Sequence, residues 1–342
     1  MNTPIPSQQQ PIGSGFNAHS TSADVMAGID LHGKVAVVTG GHSGLGRETV
    51  RALVLAGARV IVPARDVAKA QAMLTEEVPA AEIWPMDLVS SASIDAFAKR
   101  FLAGGKALDM LVLSAGIMAL PERTLDARGI ELQFATNHLG HFQLTGRLWP
   151  ALAKARSARV VAVSSRGHRF SPVVFDDLNF AHRPYDRWLA YGQSKTANVL
   201  FACELDRLGQ AHGVRAFAVH PGGIVDTQLA QHLSREELQS AGAVDDQGRP
   251  LIDPDRGYKS VAQGAATQLW CATSARLAGM GGLYCEDVDV APLMADESSR
   301  TWDGAPESRQ VAGAKPYAVD PASAQRLWVM SEGLTGVAYP GR

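Results

Sequence analysis

Two side chains that could move a proton lie four residues apart, at Tyr191 and Lys195. If this segment is helical, both side chains project from the same face. A tyrosine hydroxyl has an ordinary pKa of about 10, and a nearby ammonium group favours its ionised form. Such a tyrosine can take a proton from an alcohol while hydride leaves the carbon, or return one to a carbonyl. Ser165, which ends a predicted strand, and Asn137, within a predicted helix, complete the candidate catalytic set.

Each of these residues also has an ordinary structural explanation. A tyrosine and a lysine with this spacing commonly form an amphipathic surface pair. A serine after a strand is commonly part of a turn or a helix cap. Asn137 could bridge an irregularity in the backbone of its helix. The elements that position these side chains must therefore decide between the two explanations.

A glycine-rich turn joins a short apolar strand, Val35–Val38, to a predicted helix at 47–56. Glycines permit a sharp turn and the close approach of a phosphate, and a helix N-terminus favours an anion. The arrangement predicts the phosphate site of a dinucleotide, although a helix-capping turn could produce it too. Its spacing, G-x-x-x-G-x-G, differs from the usual G-x-G-x-x-G. The residues predicted to bind cofactor here are Gly40, His42, Ser43, Gly44, Leu45 and Gly46.

The end of the second predicted strand indicates which dinucleotide is bound. Arg59–Val62 leads to Pro63-Ala64-Arg65, and Arg65 follows Gly46 by 19 residues (65 − 46). An acidic residue at this place would accept from a ribose 2′-hydroxyl, whereas an arginine accommodates a 2′-phosphate. Arg65 therefore favours NADP over NAD, unless it is only a solvated arginine in a loop.

Apolar strands and helices alternate along the chain at intervals of roughly 20–30 residues. This alternation predicts an α/β fold, a Rossmann-type doubly wound parallel sheet of about seven strands with helices on both faces. Ligands of such sheets bind at the carboxyl ends of the strands. Asp87, Leu88 and the run Ser114-Ala115-Gly116 follow predicted strands and are expected there.

The chain is predicted to form one domain over residues 20–342, after a disordered tail at 1–19 that is rich in Pro, Gln, Ser and Gly. One long helix is expected from Gly129 to Trp149, and another is expected to begin at Tyr191. No internal repeat or clean linker divides the chain. The irregular excursions expected to line a substrate pocket are residues 166–190 and 224–258.

Composition narrows the possible partners. With 46% hydrophobic residues, 19% charged residues and a net charge of −2, nothing favours nucleic acid or an anionic membrane as partner. The absence of a long apolar segment or a secretory signal predicts a soluble cytoplasmic protein without a membrane association. The three cysteines, Cys203, Cys271 and Cys285, are far apart and are expected to be buried free thiols rather than metal ligands.

Taken together and in this order, these pieces resemble the short-chain dehydrogenase/reductase family over about residues 30–290. Within the family, the segments from Asn137 to Phe142 and from Gly28 to Lys34 look like the retinol dehydrogenase-like and WW-domain oxidoreductase-like branch. No WW domain is present. The matching motifs are Thr39–Gly46, Asp87-Leu88, Ser114–Gly116, Asn137, Ser165, Tyr191-x-x-x-Lys195 and Pro221-Gly222.

The resemblance implies a role for each catalytic position. Tyr191 would be the general acid/base, and Lys195 would bind the nicotinamide ribose while lowering the tyrosine pKa. Ser165 would hydrogen-bond the substrate oxygen, and Asn137 would hold a water in a proton relay to Lys195.

The resemblance also implies cofactor contacts outside the glycine loop. Asp87 and Leu88 would contact the adenine, and Thr227 the nicotinamide carboxamide. Ser114 stands where the family usually has asparagine, and we expect this to have only a small effect on the loop. The remaining implied cofactor contacts are Ala115, Gly116, Pro221 and Gly222.

The 25 residues between Ser165 and Tyr191 exceed the common spacing of the family, which suggests additional pocket wall. The family implies pairing into homo-dimers or homo-tetramers through the helices that start near 129 and 191. The aromatic residues that could line an apolar pocket are Phe170, Phe175, Phe180, Tyr185 and Trp188.

The sequence thus predicts an NADP(H)-dependent oxidoreductase that interconverts a small apolar ketone or aldehyde and the corresponding alcohol. One alternative is a catalytically idle sensor that only binds NADP(H), which would have no use for the Tyr191–Lys195 pair. Another is an extended-type nucleotide-sugar epimerase. Its pattern is G-x-x-G-x-x-G, and the spacing between its first two glycines is one residue shorter than the spacing from Gly40 to Gly44.

Overall fold

The computed structural model describes residues 9–295 and 312–339. Eight strands form one sheet. Their bounds are β1 Val35–Thr39, β2 Arg59–Ala64, β3 Glu82–Pro85, β4 Met110–Leu113, β5 Ala158–Val163, β6 Val214–His220, β7 Leu283–Glu286 and β8 Asp289–Val290. The strand order is β3-β2-β1-β4-β5-β6-β7-β8, and all pairs are parallel except β7–β8. The predicted Rossmann-type sheet is confirmed, with one more strand than expected.

The helices alternate with these strands. Their bounds are α1 Ser22–Met26, α2 Gly44–Leu55, α3 Val67–Leu74, α4 Ser91–Ala103, α5 Leu132–Phe134, α6 Gly140–Ala155, α7 Arg187–Gly209, α8 Arg235–Ser240, α9 Val261–Thr273 and α10 Pro321–Thr335. Strand order reverses between β1 and β4, and sheets of this type open a ligand crevice at that reversal.

The strands are continuously apolar because helices cover the sheet on both faces. In β1, Val35 and Val37 belong to the core beneath α4, α6 and α7, whereas Ala36 and Val38 belong to the core beneath α2 and α9. Successive side chains of a strand point to opposite faces, so one short strand contributes to both cores. The sheet is thereby held rigidly, and its carboxyl edge is a stable platform for a site.

Two helix starts differ from the sequence-based expectations. The helix expected from Gly129 begins at Leu132, passes through a π turn at Ala135–Leu139 and continues as α6 to Ala155. Helix α7 begins one turn before Tyr191, because the Asp186 carboxylate accepts the N–H groups that open the helix. The first irregular excursion therefore ends at Asp186 rather than at residue 190. The second excursion contains α8 and short β-bridges.

The expectation of a disordered tail over 1–19 is wrong for residues 9–19, and residues 1–8 lie outside the described residues. The Gln9 side chain donates to Tyr284 O (2.8 Å) and accepts from Tyr284 N (3.0 Å). The Asp289 carboxylate accepts the N–H groups of residues 12, 13 and 14. Hydrogen bonds to the β7–β8 end of the sheet hold this polar segment in place, although its sequence lacks the apolar periodicity that usually indicates ordered structure.

The C-terminal helix α10 packs against α6 and α7, the helices through which pairing was expected. Trp328 lies edge-on to Phe142 (ring centroids 5.0 Å apart) and stacks on Phe201 (5.9 Å). Pairing of two copies through these helices stays a prediction.

The cysteines are free, as predicted, with Cys271 and Cys285 buried and Cys203 half-buried. Within the described ranges, no group of three or more His, Cys, Asp or Glu side chains could hold a metal ion. Among residues 9–295 and 312–339, no helix is both long and apolar enough to cross a membrane.

Candidate active site

The glycine loop follows β1 and ends at the first turn of α2. Gly40 and Gly44 have φ angles of +67° and +48°, a region that favours glycine. Ser43 occupies the N-cap position of α2, but its hydroxyl does not cap the helix. The first N–H groups of a helix have no partner within the helix, and in α2 they come directly after the glycine loop. This helix terminus suits an anionic group.

Close packing leaves no room for a Cβ atom at two glycines of this loop, Gly40 and Gly46. A Cβ on Gly46 would lie 2.3 Å from Gly40 O, and one on Gly40 would lie 2.9 Å from Ala115 Cα. One on Gly44 would lie 3.1 Å from the Thr227 methyl group. Two glycines are thus required by the packing of α2 and the Ala115 loop against the turn. Thr227 lies beside the loop, and its contact with the nicotinamide carboxamide stays a prediction.

A group of basic side chains lies next to the glycine loop. Half-buried His42 has a pKa below its ordinary value, first because of burial and then because of the positive charges of Lys69 and Arg65. Its Nδ1 atom is buried and has no hydrogen-bond partner within residues 9–295 and 312–339. Arg65 and Lys69 are exposed at the start of α3. An unpartnered buried nitrogen beside two cations fits a phosphate-bearing ligand.

Tyr191 and Ser165 are in direct contact. Tyr191, in the second turn of α7, is only 4% exposed, and burial raises its pKa to about 12, opposed by a hydrogen bond with Ser165. The Ser165 hydroxyl also accepts from Gly167 N at 2.9 Å. The structure therefore brings together two of the predicted catalytic side chains, and a backbone N–H fixes the orientation of one of them.

Lys195 reaches the same place one turn further along α7. Its ammonium donates to Val163 O at 3.0 Å and lies 5.5 Å from the centroid of the Tyr191 ring. Burial lowers its pKa to about 8. The role of Lys195 in lowering the Tyr191 pKa stays a prediction, since the shift in this structure arises from burial, opposed by the Ser165 hydrogen bond.

Asn137 lies in the π turn and faces Lys195 across Gly116. Its amide oxygen accepts from Ile117 N (2.9 Å), and its amide nitrogen donates to Ile117 O (3.0 Å) and to Ser194 Oγ (2.9 Å). A Cβ on Gly116 would lie 3.2 Å from Asn137 Oδ1 and 3.5 Å from Lys195 Nζ. Gly116 therefore marks the place where the loop after β4 and two catalytic candidates converge.

The remaining predicted cofactor residues follow strands at the same edge of the sheet. Asp87 and Leu88 follow β3, and the Asp87 carboxylate accepts from Val89 N at 3.1 Å. A Cβ on Gly140 would lie 2.3 Å from Leu88 O, so only glycine fits at this position, where α6 begins after the π turn. Ser114, Ala115, Pro221 and Gly222 follow β4 and β6, and Leu45 packs against Gly264 of α9.

Among the five candidate pocket aromatics, Trp188 lies beside Tyr191, and Phe170 lies beside Trp188. Trp188 is edge-on to Tyr191, with ring centroids 6.5 Å apart, and Phe170 is edge-on to Trp188 at 6.0 Å. Phe180 and Tyr185 pack on each other, and the ring of Phe175 lies beneath Arg326. Trp188 and Phe170 are therefore connected to Tyr191 by ring contacts, and a pocket lined by the five aromatics stays a prediction.

Gly167 is a site residue that the sequence reasoning missed. Its N–H binds Ser165 Oγ, and a Cβ on it would lie 2.7 Å from Tyr191 Cε1. Local sequence carries no signal for this, because the ring that excludes a side chain is 24 residues away (191 − 167).

Comparison with known proteins agrees with this geometry. A family model described as short chain dehydrogenase matches residues 34–238. A Streptomyces antibioticus protein named "Probable oxidoreductase" is 44% identical over 305 residues, covering 88% of this chain and 97% of its own. Human retinol dehydrogenase 12 is 37% identical over 317 residues, covering 91% and 89%.

A solved structure shows the same fold over nearly the whole chain. The crystal structure of an uncharacterized protein from Mycobacterium paratuberculosis superposes with a TM-score of 0.69 at 32% identity, covering 94% of this chain and 99% of that one. The glycine loop, the Ser165–Tyr191–Lys195 grouping and these similarities have one common explanation: the chain belongs to the short-chain dehydrogenase/reductase family.

Proposed function

We propose that this protein is an NADP(H)-dependent oxidoreductase that reduces an apolar ketone or aldehyde to an alcohol and catalyses the reverse reaction. Membership of the family implies a nicotinamide cofactor, NAD(H) or NADP(H). The observation that carries the proposal is the contact of Tyr191 with Ser165, one helical turn from Lys195, at the edge of the sheet that holds the glycine loop.

A protonated Tyr191 is suited to the reduction step. When bound, the cofactor supplies or accepts the hydride. With a pKa raised to about 12, the Tyr191 hydroxyl stays protonated at neutral pH and can donate its proton to a carbonyl oxygen. Ser165 can hydrogen-bond the same oxygen, since its orientation is set by Gly167 N. A protein that only binds the cofactor has no need of this arrangement.

The basic group beside the glycine loop supports NADP(H) rather than NAD(H). Arg65 and Lys69 are exposed and close enough to His42 for their charges to lower its pKa. A 2′-phosphate brings about two negative charges into this position, and charge-assisted hydrogen bonds from arginine are among the strong ones. A ribose hydroxyl would instead be matched by a carboxylate.

The proposal is tested by measuring turnover of a panel of ketones, aldehydes and alcohols with NADPH and with NADH. We expect activity with apolar carbonyls and NADPH, and Tyr191→Phe should reduce kcat by at least about 100-fold, the low end for loss of a general acid. Binding of NADPH, followed by its fluorescence, should be largely retained in that variant because the hydroxyl is not needed for affinity. Turnover by Tyr191→Phe at the wild-type rate would refute the assigned role.

A further inference from the structure

A buried histidine next to the site has no part in the function proposed so far. His141 lies in the first turn of α6, four residues after Asn137, and is 2% exposed. Its Nδ1 atom is 3.0 Å from Asn137 O, and its Nε2 atom is 2.9 Å from Thr39 Oγ1. Both ring nitrogens are thus engaged, one with the π turn and one with the end of β1.

The partners of the ring determine where its proton lies. A carbonyl oxygen can only accept, so Nδ1 carries the hydrogen and donates to Asn137 O. Burial, with the positive charge of Lys195 nearby, lowers the His141 pKa to about 4, and the ring is therefore neutral at working pH. Nε2 then accepts, which makes the Thr39 hydroxyl the donor. Thr39 Oγ1 in turn accepts from Ala115 N at 3.1 Å.

The result is a directed chain of hydrogen bonds from Ala115 N–H through Thr39 and His141 to Asn137 O. One end is the loop on which the glycine turn packs, since a Cβ on Gly40 would touch Ala115 Cα at 2.9 Å. The other end is the π turn that aims the Asn137 amide at Ile117 and Ser194. Every donor and acceptor along the chain is used, as buried polar groups require.

We propose that His141 is a positioning residue for the reaction: it holds the Asn137 turn in register with the cofactor loop through Thr39. The inference rests on the proposed function, because positioning matters only if the site carries out turnover. Asn137 approaches Gly116 and Lys195, so a shift of its turn is expected to alter the proton-transfer geometry. Misplacement by about 1 Å can cost about 100-fold in rate.

The neighbouring His138 provides a matched control. It lies in the same π turn, is 1% exposed and is kept neutral by burial, with a pKa of about 3. Its Nε2 atom bonds Ser331 Oγ at 2.8 Å, so it faces α10 and not the site. A variant of either histidine removes a buried polar contact from this continuous stretch of helix, but only His141 lies on the chain that reaches Asn137.

Two substitutions at position 141 each retain the hydrogen bond of one ring nitrogen and remove that of the other. An asparagine side chain can place an N–H near the Nδ1 position, whereas a glutamine can place its amide near Nε2. Because the proposed link needs both contacts, we expect His141→Asn and His141→Gln each to lower kcat for ketone reduction at least about tenfold. The KM for the ketone should change by less than about twofold in both, because neither substitution touches the substrate pocket.

The control variant His138→Gln should lower the thermal stability without lowering kcat. If His141→Gln keeps the wild-type kcat, or if His138→Gln lowers kcat as much as His141→Gln does, the inference is overturned. Absence of any carbonyl turnover in the wild type would instead refute the proposed function.

A measurement on the unsubstituted protein tests the chain without any turnover. Nitrogen-15 NMR of the imidazole rings should show His141 as the neutral Nδ1–H tautomer between about pH 5 and 9. The neighbouring charged and titratable groups are Lys195, whose positive charge opposes a second proton on the ring, and His138, which burial keeps neutral. A ring protonated on Nε2, or one that titrates in this range, overturns the inference.

Discussion

Arg65 is the residue on which the choice of dinucleotide depends. It follows β2 at the edge of the glycine loop, and its charge reaches His42 together with that of Lys69. Sequence position alone leaves open whether an arginine here is merely solvated. The nearby unpartnered nitrogen of His42 adds a second polar group that a phosphate could engage.

Exchanging Arg65 for Asp should move the cofactor preference towards NADH. A hydrogen bond to a charged group contributes about 1.5–3 kcal/mol, so the ratio of kcat/KM for NADPH over NADH is expected to fall about 10–100-fold. Arg59→Gln is the matched control, since Arg59 lies at the opposite end of β2 and binds Glu82 at 2.6 Å. An unchanged ratio in Arg65→Asp would contradict the choice of NADP(H).

At the scale of elements, the turn after Ser165 and helix α7 are fitted to each other. The 3₁₀ turn Arg166–Phe170 lies against α7, and a Cβ on Gly192 would be 2.7 Å from Gly167 O. Small residues on both elements let the backbones approach closely. The Tyr191 ring then lies directly over Gly167, which explains how two catalytic side chains from separate elements come into contact.

Gly167→Ala should therefore impair catalysis more than folding. The added methyl group would press on the Tyr191 ring and lie 3.3 Å from Ser165 Oγ, and we expect kcat for ketone reduction to fall about 100-fold. Gly333→Ala on α10 is the control, because a Cβ there meets nothing within 4 Å. Comparable kcat values for the two variants would show that the close contact with Tyr191 is unimportant.

At the scale of the whole molecule, both ends of the described chain fasten onto the domain. Gln9 binds the backbone of β7, and α10 lies on α6 and α7 with Trp328 among Phe142, Phe201 and Tyr339. The Tyr339 hydroxyl donates to Phe142 O at 2.6 Å, which extends this contact beyond the helix.

Trp328→Ala should destabilise the protein by about 3–5 kcal/mol, because it leaves a cavity in a packed aromatic cluster. Urea unfolding followed by circular dichroism measures the loss. Val329→Ala on the same helix is the control, since Val329 is 54% exposed and its truncation should change stability by less than about 0.5 kcal/mol. Equal stability of the two variants would mean that α10 does not pack against α6 and α7 through Trp328.

The sequence by itself determined the sheet, the position of the glycine loop and the identity of the catalytic candidates. Apolar periodicity is local, and parallel strands bring their carboxyl ends to one edge. Ser165, Tyr191, Lys195 and Asn137 could therefore be placed together before any coordinates were known. The start of α7 was predicted one turn late, because its capping residue, Asp186, lies in an irregular segment.

Only the tertiary structure decided the protonation of the site and the contacts that hold it. The pKa of Tyr191 depends on how completely the fold removes water, which spacing along the chain does not reveal. Gly167 and His141 act through atoms that are distant in sequence, and the polar residues 9–19 are ordered by bonds to β7 and β8. Long-range hydrogen bonds and burial arise when elements pack, and no local pattern of residues encodes them.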